Sequence, residues 1–199
     1  MTEAVDGIKI ILLGESGVGK TNLINVFLRL QFDDFSVSTM SSNVFHGFFN
    51  YNKIKYKYYI WDTAGQEMCR AINKIFVRDA KIILLVYSID NRHSFEEINF
   101  WINFVKSNKE DDKYIIALVA NKSDLIEEQT VLDEEGSELA EKNKFEFLIT
   151  SALKDADGFR KFVFNLLEKY VDIYEGAING KNNIKIKKIG NKNKKKISC

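Results

Sequence analysis

Cysteine and long apolar stretches are both scarce in this sequence of 199 residues. The two cysteines, Cys69 and Cys199, cannot form a disulfide framework, and such scarcity is typical of a reducing compartment. The longest apolar run, residues 82–87, is far too short to span a bilayer. Residues 2–7 are polar and acidic, so we expect no secretory signal. These features predict a cytoplasmic protein with one domain and a full hydrophobic core.

Acidic residues are missing from the last part of the sequence. Eight of the 29 basic residues follow Glu175, whereas none of the 28 acidic residues does, so residues 1–175 carry a net charge of about −7. We therefore predict a folded domain of residues 1–175 and a flexible polybasic tail of residues 176–199, whose Lys/Asn/Ile composition cannot bury a core. Because the predicted domain is acidic, we expect it to bind no nucleic acid.

Apolar runs of strand length alternate with helical patterns along the sequence, which predicts an α/β fold. The predicted strands lie near residues 8–13, 43–49, 54–61, 82–87, 114–120 and 145–149. The predicted helices lie near residues 20–30, 70–77, 94–107, 133–142 and 158–171. A hairpin turn at residues 51–53 would make the second and third strands antiparallel. The fold class is thus a three-layer α/β fold, with a mostly parallel, six-stranded sheet and helices on both faces.

Residues 14–21 read GESGVGKT and fit the pattern G-x-x-x-x-G-K-[ST] between a predicted strand and a predicted helix. Glycines let backbone N–H groups surround phosphate oxygens, and the positive end of the helix then faces the anion. The alternative is a glycine-rich turn that binds nothing, but lysine and threonine in register favour a phosphate site. We predict phosphate binding by Gly14, Glu15, Ser16, Gly17, Val18, Gly19, Lys20 and Thr21.

Four more clusters follow the predicted strands or the first helix. They are residues 61–67 (WDTAGQE), residues 121–124 (NKSD), residues 150–152 (TSA) and Thr39. Together with the phosphate loop, they resemble the small monomeric GTPases of the Ras superfamily over about residues 9–170. Residues 121–124 alone would read as an ordinary surface turn. The resemblance implies a P-loop NTPase (small G-protein) fold that binds GTP or GDP with Mg²⁺.

Asp124 is the residue that would select the base. Its carboxylate can accept hydrogen bonds from the N1–H and the amino group of guanine, whereas adenine would leave it unpaired, so the wrong base could be rejected by roughly 10⁴-fold. The resemblance implies that Asn121 joins this loop to the phosphate loop, and that the stem of Lys122 covers the ring. The full set of base and ribose residues that it implies is Phe32, Asn121, Lys122, Asp124, Ser151 and Ala152.

The same resemblance implies the metal and catalytic residues. Thr21, Thr39 and Asp62 would hold Mg²⁺, with Asp62 acting through water. Gln66 would orient the attacking water, and the Gly65 N–H would meet the γ-phosphate. The implied catalytic set is Lys20, Thr39, Gly65 and Gln66. Thr39 and Gly65 lose their γ-phosphate contacts on hydrolysis, so the chain would act as a switch.

Hydrolysis in this family depends on positioning and charge neutralisation, and unaided turnover is on the order of 10⁻⁴ s⁻¹. Residues 36–38, which precede Thr39, contain no arginine. We therefore expect a GTPase-activating protein to supply one. The other expected partners are an exchange factor and effectors that bind the switch regions, the two loops that carry Thr39 and Gly65. We expect the protein to be a monomer.

Several motifs look like those of Rab proteins, which regulate vesicle traffic: the phosphate loop, residues 60–67, residues 85–90 and Trp101. The absence of an inserted helix after residues 121–124 argues against the Rho branch. A Rab-type aromatic cluster would include Trp61 and Phe76, although Phe76 can equally be a packed helix residue. Phe45 lies one position out of phase with the third aromatic, and a shift of one residue turns a strand side chain to the opposite face.

Because Cys199 is the last residue of this sequence, we expect no C-a-a-X box. Rab proteins commonly end in one or two geranylgeranylated cysteines, and one lipid beside the lysines at 194–196 would provide the two signals that stable anchoring needs. We expect prenyl-transfer and dissociation-inhibitor proteins as partners, and a peripheral location on the cytosolic face of intracellular membranes. The alternative is a soluble basic tail or a run that resembles a nuclear-import signal.

The leading hypothesis is a GTP-hydrolysing switch of vesicle traffic. One alternative is a Ras- or Rho-type signalling GTPase, and another is a guanine-nucleotide-binding module with negligible turnover. The presence of Thr39, Asp62 and Gln66 favours an enzyme over the binding module. A metabolic phosphotransferase would leave the motif at residues 121–124 without a function.

Overall fold

The computed structural model describes residues 5–30, 43–62, 74 and 76–175, and these contain a six-stranded sheet. Its strands are β1 (Val5–Leu13), β2 (Asn43–Tyr51), β3 (Ile54–Asp62), β4 (Ile82–Ser88), β5 (Ile115–Asn121) and β6 (Glu146–Ile149). The order across the sheet is β2-β3-β1-β4-β5-β6, and β2 is the one antiparallel strand in it. The predicted strands and the predicted sheet class are confirmed.

Five α-helices lie within the described part of the chain. They are α1 (Lys20–Phe27), α2 (Arg92–Glu96), α3 (Ile98–Asn108), α4 (Asp133–Asn143) and α5 (Ala156–Tyr170). Helix α5 continues into one π-helical turn, Val171–Glu175. Of the helix predicted over 70–77, residues 74, 76 and 77 are described and helical, and residue 78 extends it.

Two helix predictions need correction. Helix α1 ends at Phe27 and not near Leu30, because Arg29 has a left-handed backbone (φ 60°), a conformation that commonly ends a helix. The helix predicted over 94–107 is two helices, α2 and α3, which meet at Glu97. A periodicity of apolar residues runs across such a junction, so the sequence pattern alone could not locate it.

Each face of the sheet buries its own hydrophobic layer, and β1 contributes to both. Ile10 and Leu12 pack with α1 and α5 on one face, whereas Ile11 and Leu13 pack with α3 and α4 on the other. Alternation along a strand sends neighbouring side chains to opposite faces. The three-layer arrangement follows from this alternation.

The β2–β3 hairpin turns at Asn52 and Lys53, whose φ values are 49° and 65°. Two consecutive residues with positive φ are typical of a type I′ turn, whose twist matches that of the strands. The antiparallel pairing that we predicted is therefore present.

The pairing of β2 with β3 also determines which residues can join the predicted aromatic cluster. Trp61 and Phe76 are in contact, with ring centroids 5.0 Å apart. Val44 pairs with Trp61 and is 45% exposed, whereas Phe45 packs against the core on the other face of the sheet. The phase shift thus places valine, and not a third aromatic residue, beside Trp61.

Candidate functional site

The loop between β1 and α1 brings backbone close to other segments at two glycines. A Cβ on Gly14 (φ 147°) would lie 2.1 Å from the carbonyl oxygen of Val86. A Cβ on Gly19 (φ 92°) would lie 2.4 Å from Nδ2 of Asn121. Gly19 also precedes α1, whose N-terminus is capped by no side chain among the described residues. The result is a glycine-lined cradle at a helix N-terminus, an arrangement suited to an anion such as phosphate.

Lys20 extends back from α1 across this loop. Its Nζ donates hydrogen bonds to the carbonyl oxygens of Gly14 (2.8 Å) and Glu15 (2.7 Å). Burial lowers the pKa of Lys20 to about 8, against the opposing influence of Asp62 and Glu15. A buried amine held this way is a cation placed to meet phosphate oxygens.

Thr21 and Asp62 bring two oxygen ligands together beside that amine. The Thr21 hydroxyl donates to Oδ1 of Asp62 at 3.2 Å, and Asp62 is 2% exposed. Burial raises the pKa of Asp62, while the hydrogen bond from Thr21 and the charge of Lys20 act in the opposite direction. A hydroxyl and a carboxylate are hard oxygen donors of the kind that Mg²⁺ prefers, so this pair fits the predicted metal site.

The described part of the chain contains no group of three or more His, Cys, Asp and Glu side chains placed to hold a metal ion. The predicted Mg²⁺ site does not need such a cluster. The ligands predicted for it are hydroxyl oxygens, one carboxylate acting through water, and the phosphates of the nucleotide.

Asn121, at the end of β5, connects three separate segments. Its Nδ2 donates to the carbonyl oxygen of Val18 at 2.8 Å, and its Oδ1 accepts from the Ala152 N–H at 3.2 Å. The side chain is almost completely buried. This amide therefore holds the phosphate loop, the loop after β5 and the loop after β6 in one arrangement.

The Asp124 carboxylate is held by Ser151. The Ser151 hydroxyl donates to Oδ1 of Asp124, and the N–H groups of Leu153 and Lys154 donate to Ser151 Oγ at 3.1 and 3.0 Å. Lys122 has a left-handed backbone (φ 62°), and its amine lies 3.5 Å from Oδ2 of Asp90. These contacts hold both motif residues beside the same cavity.

A cavity of about 270 Å³ lies between these loops. Five of its lining residues were predicted to contact the nucleotide: Gly19, Asn121, Lys122, Asp124 and Ala152. Three more, Asn22, Leu125 and Leu153, were not predicted. Each of these three directly follows a motif residue, so adjacency was the signal that could have indicated them. A mostly apolar wall with a few polar groups is typical of a small-molecule site.

The structure thus brings together the predicted phosphate loop, Thr21, Asp62 and the base residues Asn121, Lys122, Asp124, Ser151 and Ala152. The remaining predicted site residues lie outside the described residues: Phe32, Thr39, Gly65, Gln66 and Cys199.

A mostly parallel sheet with a glycine-rich loop after β1, and a cavity bounded by loops after β5 and β6, define the class of phosphate-loop nucleotide-binding proteins. Within that class, the family model described as Ras family matches residues 9–172. The chain belongs to the Ras family. As in that family, it binds GTP and hydrolyses it, so it is a small GTPase.

Individual relatives agree with this assignment. The chain is 39% identical to Ras-related protein RABA2b of Arabidopsis thaliana, over 85% of this chain and 79% of the relative. It is 37% identical to Ras-related protein RGP2 of Oryza sativa subsp. japonica, over 87% of this chain and 79% of the relative. It is also 37% identical to Ras-related protein Rab11C of Lotus japonicus, over 85% and 78%. The Rab-like character that the motifs predicted is confirmed.

In residues 5–30, 43–62, 74 and 76–175, every helix is too short or too polar to cross a bilayer.

Proposed function

We propose that this GTPase is a switch of vesicle traffic whose base specificity resides in Asp124. The observation that carries the proposal is the position of that carboxylate: Ser151 holds it at a cavity that Asn121 joins to the phosphate loop. Guanine would satisfy the carboxylate through N1–H and its amino group, whereas adenine would leave it unpaired. Lys122, Ser151, Ala152 and Phe32 complete the base and ribose contacts.

The phosphates bind at residues 14–21, where Lys20 provides the charge that faces the outer phosphates. Thr21, Thr39 and Asp62 hold Mg²⁺, and Asp62 does so through water. The bound metal neutralises charge on the phosphate oxygens. The hydrogen bond between Thr21 and Asp62 supports this assignment, because it places two of the three groups side by side.

Hydrolysis is a displacement in which Gln66 orients the attacking water and the Gly65 N–H meets the γ-phosphate. Loss of that phosphate removes contacts to Gly65 and Thr39, which changes the two switch segments. An arginine from a GTPase-activating protein accelerates the step, since residues 36–38 contain none. An exchange factor then replaces GDP by GTP.

Effectors bind the switch segments and the neighbouring outer face of the β2–β3 hairpin. Exposure of Val44 beside the Trp61–Phe76 pair supports this surface, and its valine would select effectors different from those that need three aromatic residues. The role in vesicle traffic rests on the Rab-like motifs and on relatives named Ras-related and Rab proteins.

Residues 1–175 form the GTPase domain, and residues 176–199 form a basic tail that is prenylated at Cys199. Prenyl-transfer and dissociation-inhibitor proteins handle the lipid. The lipid and the tail lysines together hold the protein on the cytosolic face of an intracellular membrane.

Base specificity is tested by competition between GTP and ATP for the purified protein, measured by calorimetry. We expect GTP to bind at least about 10⁴-fold more tightly. Equal competition by ATP would contradict the role of Asp124.

Single-turnover hydrolysis tests the enzymatic role separately from binding. The wild type should hydrolyse bound GTP slowly, on the order of 10⁻⁴ s⁻¹, and Gln66→Leu should bind GTP equally well but hydrolyse it more slowly still. If wild type and variant hydrolyse GTP at the same rate, Gln66 is not the residue that orients water. If neither turns GTP over, the protein is a nucleotide-binding module.

A further inference from the structure

A second cavity, of about 380 Å³, lies at the end of the sheet opposite the nucleotide site. Its walls are the starts of β5 and β6, whose other ends carry Asn121 and the loop at residues 150–152. The last turn of α3, the residues that follow α4, and the π-helical turn after α5 complete it. We call it the tail-side cleft, because Ile173 lines it three residues before the basic tail begins at residue 176.

The tail-side cleft combines an apolar floor with a basic rim. Tyr114, Phe145 and Ile173 contribute apolar surface, and Ile173 is 48% exposed. Three lysines line the same cleft: Lys106, Lys144 and Lys169. Among the described residues that line it, Glu146 is the one carboxylate.

The basic charge of this cleft is largely uncompensated. Glu146 pairs with Lys169, whereas neither Lys106 nor Lys144 forms an ion pair with any described residue. In the neighbouring loop, Glu110 pairs with Arg78, and Asp111 pairs with Lys81 and Lys109. The third carboxylate of that loop, Asp112, contributes to the raised pKa of Tyr114 but is not among the residues that line the cleft. The cleft therefore presents two unneutralised ammonium groups beside apolar surface.

The chain that leads to the tail is held against this end of the domain. The Tyr174 hydroxyl donates to the carbonyl oxygens of Asp112 and Tyr114, each at 3.2 Å, and the Tyr51 hydroxyl donates to Oδ2 of Asp172 at 2.7 Å. The eight tail lysines follow between residues 181 and 196. A like-charged cleft does not attract this tail, but both attract the same anions, so an anionic surface that binds the tail is brought close to the cleft.

We propose that the tail-side cleft binds the phosphorylated headgroup of an anionic membrane lipid. The amines of Lys106 and Lys144 hold the phosphate as point charges, and the apolar floor contacts the carbons next to it. The folded domain would then contribute to membrane binding in addition to the tail, with the nucleotide site facing away from the lipid. This binding does not depend on nucleotide hydrolysis.

The test uses the full-length, unlipidated, GDP-bound protein and sedimentation with vesicles. Vesicles of phosphatidylcholine alone are compared with vesicles that also contain a phosphatidylinositol phosphate. Lys106→Gln and Lys144→Gln should each lower binding to the phosphoinositide vesicles about fivefold, the factor that corresponds to about 1 kcal/mol per lysine at an anionic leaflet. Lys161→Gln is the matched control, since Lys161 is exposed on α5 and does not line the cleft.

A variant that should increase vesicle binding separates lipid binding from a structural effect. Lys106 and Lys144 also lie near helix C-termini, where a cation stabilises the helix, so their loss alone could weaken the fold. Glu146→Gln removes the only carboxylate among the described residues that line the cleft and frees Lys169, and it should increase binding to the phosphoinositide vesicles severalfold. The GDP dissociation rate of every variant is measured as a check that the nucleotide site is unchanged.

Four results would overturn the proposal. One is an equal loss for Lys161→Gln, because net charge and tail would then explain binding. Another is unchanged binding in both cleft variants. A third is a soluble inositol phosphate that binds as tightly as the vesicles, which would make a free anion the ligand. The fourth is a Lys106→Gln variant that loses binding to an acidic peptide but binds the vesicles as the wild type does. That result would assign the cleft to a protein partner. Failure of GTP specificity would leave all of these results interpretable.

Discussion

At the scale of single residues, Ser151 joins the loop after β6 to the loop after β5, which carries Asp124. Its hydroxyl donates to the Asp124 carboxylate and accepts the N–H groups of Leu153 and Lys154. One buried oxygen thus holds the carboxylate that we propose to bind the base, and it also holds the turn that follows Ser151 itself. None of these hydrogen bonds involves the phosphate loop. We therefore expect a substitution of Ser151 to weaken the contacts with the base and not those with the phosphates.

Ser151→Ala should weaken GDP binding about tenfold. The substitution leaves two N–H groups and one carboxylate without this partner, which costs about 1–3 kcal/mol. Dissociation of a fluorescent GDP analogue measures the effect, and Ser137→Ala, at an exposed position on α4, is the control. Unchanged dissociation from Ser151→Ala would show that Asp124 is held without the hydroxyl.

Lys20 connects ionisation to phosphate binding. Its pKa is lowered to about 8 by burial, and a phosphate beside the amine would raise that pKa, because an opposite charge favours the protonated form. Near pH 9 most of the amine is neutral before binding and charged after it. We therefore expect GDP binding to take up close to one proton near pH 9 and almost none near pH 7.

Calorimetry in buffers of different ionisation enthalpy measures this proton uptake. Guanosine, which has no phosphate, is the control. Any proton that guanine N1 takes up near pH 9 is common to both ligands, so the uptake by GDP should exceed that by guanosine near pH 9 but not near pH 7. Uptake by GDP that is the same near pH 7 and near pH 9 would contradict the lowered pKa of Lys20.

At the scale of elements, the start of α5 is tied to the loops after β5 and β6, which line the nucleotide cavity. Asp155 is the N-cap, and its Oδ1 accepts the Gly158 N–H at 3.1 Å. The Thr150 hydroxyl contacts the same residue, and the Thr150 carbonyl oxygen accepts the Ser123 N–H at 3.1 Å. The cap therefore supports the loop that carries Asp124 as well as the helix.

Asp155→Ala should lower the free energy of unfolding by about 1 kcal/mol, the typical loss for an N-cap. Chemical denaturation measures it. Asp157→Ala is the matched control, because Asp157 is in the first turn of α5 without being the cap. An equal change in both variants would mean that helix-terminal charge, and not capping, explains the effect.

The elements also show which local features can be read from sequence. The hairpin at residues 51–53 was predicted, because the turn residues are polar and the flanking runs have strand character. The end of α1 was not, since the left-handed Arg29 is a residue type that rarely adopts φ of 60°. The burial of Phe45 could not be read from the sequence, because it depends on the register in which β2 pairs with β3.

At the scale of the whole molecule, a guanine nucleotide would connect segments far apart in the sequence. The phosphate cradle follows β1, Asp62 ends β3, and the base cavity lies between loops after β5 and β6. A ligand that contacts all of them stabilises the native domain but not the unfolded chain.

GDP with Mg²⁺ should therefore raise the melting temperature, whereas ATP with Mg²⁺ should not. At a GDP concentration of about 1,000 times Kd, the stabilisation should reach about 4 kcal/mol. Thermal unfolding of the nucleotide-stripped protein measures it, with Asp124→Ala as the variant that should lose the effect of GDP. Equal stabilisation by ATP would exclude guanine specificity.

The sequence by itself determined the fold class, the order of the strands along the chain and the motif residues of the nucleotide site. Alternating apolar patterns and short motifs are local, so they can be read without coordinates. The tertiary structure decided which distant residues meet, such as Thr21 with Asp62 and Ser151 with Asp124. It also decided the tail-side cleft, because a cleft built from separate elements exists only after the chain has packed.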